Sequence, residues 1–169
     1  QSDRARRRAA RLGHGSPPPP LEQATRTPNP APSSEPAWKR NGHMDRAVAL
    51  ARGWVESQNI HGLRIETVQA DGRTPLLFIE VDGDDSSTVL MYGHLDKQPE
   101  MLGWTEGTGP WTPVLKDDKL YGRGGADDGY AMFAAISALL ALKEQNISHA
   151  RAVIVIGDCE ASGPSALPL

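Results

Sequence analysis

Three places in this sequence carry residue types able to do chemistry. His94-Leu95-Asp96 places an imidazole and a carboxylate two positions apart. In an extended segment that spacing puts both side chains on one side. An Asp so placed can hold the ring of a metal-bound His and fix its tautomer. Asp127 and Asp128 follow the turn Gly122-Arg123-Gly124-Gly125, and Glu160 follows the apolar run Ala152 to Ile156. His, Asp and Glu are ligand types for zinc or a similar divalent ion. A Glu beside such ions could take a proton from bound water. Taken singly, each has a plainer reading: a structural His-x-Asp, an Asp127 or Asp128 helix N-cap, a surface Glu160.

The elements around these residues bring them together. Met44, Ala47, Val48, Ala51 and Val55 recur with helical spacing, and Asn59 to Gly62 ends that helix. Leu63, Ile65 and Val68 read as a strand, and Leu77, Ile79 and Val81 as another, with Asp82 to Asp85 as a turn. Thr88 to Tyr92 and Ala152 to Ile156 are continuous apolar runs, the pattern of buried strands. Residues 97–114 read as a long ordered loop, and Val114 to Tyr121 as a hairpin around Lys116-Asp117-Asp118-Lys119. Asp127 to Gln145 reads as a helix burying Met132, Phe133, Ile136, Leu139 and Leu140. Strand, connection, helix and strand form a βαβ unit, which implies an α/β fold with a mostly parallel central sheet flanked by helices. His94 and Asp96, Asp127 and Asp128, and Glu160 then share the carboxyl edge of that sheet, where ligands bind.

Composition narrows the class. The 169 residues hold 18 Lys plus Arg against 21 Asp plus Glu, a near-balance that argues against a dedicated nucleic-acid binder. One cysteine excludes a disulfide framework within the chain, and no apolar run is long enough for a membrane span. Eight of the 14 prolines lie between Pro17 and Pro36, and residues 1–43 carry a net charge of +5. Residues 1–41 therefore read as a disordered Pro/Arg-rich tail, and 42–169 as the folded part. No apolar core follows the Arg cluster, so it is not a secretory signal, and a cytoplasmic location is expected.

Gly122 to Gly125 as a phosphate loop fails on two counts. G-x-G-x-x-G is not completed, and two carboxylates occupy the helix start where a phosphate needs amide donors. Cys159 follows an apolar strand without a motif tying it to a histidine, so it reads as a small buried hydrophobe. Trp104 and Trp111 are expected to cover the site or pack its rim.

The run Val89 to Asp96, then Gly103-Trp104, then Leu120 to Gly129, then Cys159-Glu160 resembles metallopeptidase family twenty. These co-catalytic zinc amidohydrolases include carnosinase-type dipeptidases, aminoacylase, acetylornithine deacetylase and succinyl-diaminopimelate desuccinylase. The resemblance spans about residues 42–163 and implies a zinc-peptidase-like domain. It implies two Zn2+ per complete site, with cobalt or manganese as alternatives. By this resemblance His94 is a ligand of one metal, Asp127 bridges both, and Asp96 orients His94. Glu160 is the general base toward the metal-bridging water, and the Asp127–Asp128 peptide bond is cis. The substrate implied is a small peptide or an N-acyl amino acid.

The sequence also departs from the resemblance. A second Glu, a metal ligand, is expected directly after the base, but that position is Ala161. The remaining carboxylate ligand, a distal His and an inserted dimerisation domain are expected beyond residue 169. The chain is accordingly expected to be the incomplete, inactive amino-terminal part of a homodimeric hydrolase, or alternatively a catalytically dead remnant or interaction fragment. Exposed strand edges are expected to make it poorly soluble alone.

Overall fold

The computed structural model describes residues 19–84 and 86–157. The alternation of Leu77, Ile79 and Val81 makes strand β2 (Leu76–Val81), buried at every second residue. It pairs antiparallel with β1 (Leu63–Val68) on one side and with β6 (Arg151–Gly157) on the other. Strand β3 (Thr88–His94) runs parallel to β6, giving the order β1-β2-β6-β3. The α/β class holds, but the expected mostly parallel sheet is mixed, with one parallel pair of three. The physical reason is the connection: β2 returns directly beside β1 without a crossover helix, which only antiparallel neighbours permit.

Helix α3 (His43–Ser57) and helix α4 (Tyr130–Glu144) bury the apolar faces that the sequence periodicity predicts. Val48, Ala51, Val55, Met132, Phe133 and Ile136 join Leu77, Ile79, Ile154 and Ile156 in one core. The Trp54 and Phe133 rings meet at 4.6 Å and 58° and tie the two helices together. Each large buried side chain contributes about 1.5–3 kcal/mol relative to exposure. The βαβ unit β3–α4–β6 is present as expected, with β6 as an inner strand.

Strand β3 differs from the buried strand that its apolar run suggests. Val89, Leu90 and Tyr92 are all at least half exposed. Among the described residues β3 is an edge strand. By register Leu90 lies beside Val153 and Tyr92 beside Val155, on the face opposite Ile154 and Ile156. An apolar run marks a strand without saying how many of its sides are covered.

Residues 1–18, Asp85 and 158–169 lie outside the described residues. Residues 19–41, expected to be part of a disordered tail, fold. Helix α1 (Pro19–Arg26) begins at prolines, which the first turn tolerates because its N–H groups have no intrahelical partner anyway. Its Leu21 and Thr25 are buried, as are Asn29 and Ala31 beyond it. A short helix α2 (Trp38–Asn41) leads into α3 through Gly42 at φ 67°. Proline content alone misjudged this segment because four buried side chains and backbone hydrogen bonds to Lys97 anchor it. Among the described residues no helix is long and apolar enough to cross a membrane.

The hairpin forms as expected, with β4 (Val114–Lys116) against β5 (Lys119–Tyr121). Asp117 and Asp118 both have positive φ, 52° and 57°. Two-residue hairpin turns with both central residues left-handed favour glycine at the second. Asp118→Gly is expected to raise stability by about 0.5–1 kcal/mol, read as a higher urea midpoint with unchanged slope.

Candidate metal centre

His94 ends β3 and Asp96 lies just beyond it, at the carboxyl edge of the parallel pair. His94 registers with Gly157, the end of β6, so both strands finish at this edge. Asp127 and Asp128 sit in the turn before α4, closed by Gly129 N–H donating to Gly124 O at 2.9 Å. The Asp127–Asp128 peptide bond is cis, as the resemblance implies. No side chain caps α4. Asp128 instead reaches across the edge, its Oδ2 accepting the His94 N–H at 3.1 Å. That contact disposes of the N-cap reading for Asp128. It also explains why the turn lies against β3.

The histidine is held from behind. Its Nδ1 lies 3.2 Å from Asp96 Oδ1 and 3.1 Å from the Asp96 carbonyl oxygen. Two acceptors at Nδ1 place the proton there and leave Nε2 to face Asp127 Oδ1, 3.4 Å away. Asp96 is wholly buried, whereas the Asp127 side chain is 66% exposed. Burial pulls the imidazole toward its neutral form. The hydrogen bond and charge of Asp96, its carbonyl and the Asp128 charge outweigh that and raise the His94 pKa to about 9. Burial raises the Asp128 carboxyl above its ordinary range, and the charge of Asp127 adds to this. The His94 N–H and the His94 charge oppose both.

These donors fit a divalent cation. Tetrahedral zinc with bonds of about 2.0–2.2 Å separates two donors by about 3.4 Å, the spacing of His94 Nε2 and Asp127 Oδ1. Among the described residues no group of three or more His, Cys, Asp or Glu assembles that could hold an ion. The structure thus brings His94, Asp96 and Asp127 together, while Glu160 and Cys159 lie outside the described residues. Trp111 donates from Nε1 to Glu100 Oε1, and its ring lies 5.3 Å from the Lys97 ammonium.

Sequence reasoning missed Gly93 and Lys97; it placed Asp128 at the shared edge or as a cap but did not find its bond to His94. A Cβ on Gly93 would lie 2.6 Å from Ala131 Cβ and 2.9 Å from Asp128 Oδ2. A glycine inside a strand pattern signals such a close approach and could have identified it. No sequence signal marks Lys97, because its partners on α1 lie some seventy residues away.

Residues 90–165 match the model of peptidase family M20/M25/M40. Beta-Ala-His dipeptidase of Mus musculus is 38% identical over 98 residues, covering 56% of this chain and 19% of that enzyme. Succinyl-diaminopimelate desuccinylase of Gluconobacter oxydans is 31% identical over 121 residues, covering 70% of this chain and 30% of the enzyme. Human carnosine dipeptidase 1 superposes with a TM-score of 0.67 at 27% identity, over 87% of this chain and 32% of that one. The chain therefore spans about a fifth to a third of the length of these relatives. A strand-end histidine backed by a buried aspartate and facing a carboxylate on the turn before α4 lies inside the matched region, and residues 90–165 of this chain belong to peptidase family M20/M25/M40, a family of hydrolytic enzymes.

Proposed function

We propose that this chain carries part of the metal site of an amide-bond hydrolase acting on dipeptides or N-acyl amino acids. The observation that carries this reading is the pair His94 Nε2 and Asp127 Oδ1 at 3.4 Å, with Asp96 behind the histidine. His94 and Asp127 are the ligands in this reading, with zinc as the ion. Divalent ions held there would polarise an amide carbonyl and acidify water. Asp96 keeps the Nδ1 proton in place so that Nε2 presents its lone pair outward. Asp128 ties that histidine to the turn bearing Asp127. Glu160 is assigned as the proton acceptor. Support for the amide substrate comes from the dipeptidase and desuccinylase relatives.

A second reading, a chain that grips a metal without catalysing hydrolysis, rests on Ala161. That residue has no donor atom directly after Glu160. Titration of the chain with Zn2+, followed by calorimetry, tests both readings alongside a dipeptide hydrolysis assay. One weakly bound ion, lost in His94→Ala, is the expected result, because two ligands are fewer than the usual four-coordinate set. Hydrolysis accompanying that binding would remove the second reading. Binding unaffected by His94→Ala would remove the first.

A further inference from the structure

The residue after Asp96 is a lysine that the chemistry above does not use, yet it is 3% exposed. Its ammonium donates to Ala24 O and Thr27 O, both at 2.6 Å, where α1 ends. Cations there are favoured because the last carbonyls of a helix lack intrahelical partners. The methylene stem has a different neighbour. A Cβ built on Gly124 would lie 2.5 Å from Lys97 Cε and 2.7 Å from Cδ and Cγ. Gly124, at φ 79°, accepts the hydrogen bond that closes the turn bearing Asp127 and Asp128. The stem of Lys97 therefore fills the space between the strand end holding His94 and the turn holding Asp127. The backbone of Lys97 is fixed as well: its N–H donates to Asn29 O at 3.1 Å and its carbonyl accepts from Ala31 N at 3.0 Å.

We propose that Lys97 is a positioning residue that sets the separation of His94 and Asp127. In this arrangement the stem acts as the spacer and the ammonium fastens α1 behind it. This inference rests on the metal-binding reading. One contact already joins the two segments, Asp128 to the His94 N–H. The lysine stem is a second, from the opposite end of the turn, and two supports fix an angle that one leaves free.

The test is Co2+ titration of the full chain, followed by its visible absorption, with melting temperature measured in parallel. Lys97→Ala removes stem and charge. Lys97→Met keeps a stem of similar length without the charge. Lys97→Ala is expected to weaken Co2+ binding about 10-fold or more, while Lys97→Met restores it to within about threefold of the unmodified chain. Both variants are expected to melt earlier, since both remove the charged donor from the Ala24 and Thr27 carbonyls and leave them only their backbone bonds. A purely structural lysine would lower the melting temperature without splitting the two variants in metal affinity. The proposal is overturned if a folded Lys97→Ala binds Co2+ like the unmodified chain, or if Met and Ala lose affinity equally. Should Lys97→Ala fail to fold, Lys97→Leu decides, because it shortens the stem without emptying the space beside Gly124. Co2+ binding weaker than that of Lys97→Met supports the proposal, and binding equal to that of Lys97→Met sinks it. If the unmodified chain binds no Co2+, the metal reading itself fails and takes this one with it.

Discussion

Replacing Gly93 with alanine is expected to lower stability by about 1–3 kcal/mol, the usual cost of an atom forced into a filled space. The new Cβ would sit 2.6 Å from Ala131 Cβ in α4 and 2.9 Å from Asp128 Oδ2. Neither is the loose end of a flexible side chain: Ala131 has no further atoms to move, and Asp128 is held by the His94 N–H. Relief requires α4 and its turn to move off β3, which carries Asp127 away from His94. The variant should therefore also lose about 10–100-fold in metal affinity. A melting temperature lower by roughly 4–10 °C, together with absent Co2+ absorption, is the expected reading. A Gly93→Ala chain that melts and binds normally would show that strand and turn do not meet as described.

The second large effect concerns Asp96→Asn. Because the folded chain raises the His94 pKa from 6.5 to about 9, the metal-free protein holds a proton there that the unfolded chain releases earlier. The stabilisation is fully present below about pH 6.5 and disappears as pH rises through about 9. Asparagine at position 96 removes the charge and the carboxylate acceptor, so this fall in stability should flatten. Urea midpoints at pH 6 and pH 9.5 give the comparison. Metal competes with the same proton, so affinity for Zn2+ in the parent chain should climb between those pH values. In Asp96→Asn it should be about 10–100-fold weaker at high pH, as for other partners of metal-bound histidines. Equal slopes in the two proteins would mean that Asp96 does not govern the histidine.

Much of this arrangement is legible in the residues. Alternation found β2, helical spacing found α3 and α4, and the apolar run at Ala152 found an inner strand, because burial on a repeating face leaves a periodic trace. His94, Asp96 and Asp127 were legible because strand ends and helix starts in an α/β unit fall at one edge. Partner choice between strands leaves no such trace, so the mixed sheet and the exposed side of β3 were not. Proline counting failed at residues 19–41 because the energy that folds them comes from remote partners. Asn29 donates to Leu95 O, sixty-six residues away, and Lys97 reaches back to Ala24 and Thr27. Composition describes a segment alone, and this one is ordered by what it touches.

His94 and Asp127 come from one uninterrupted stretch of chain, through the long loop and the β4–β5 hairpin. An ion shared between them would act as a cross-link. It would tether a loop of about 30 residues in the denatured ensemble, a restriction worth about 3–4 kcal/mol if it were covalent. Chelation would then loosen the turn, the long loop and the hairpin as one unit, so a cation held there would be a mechanical staple of this edge as well as a reagent.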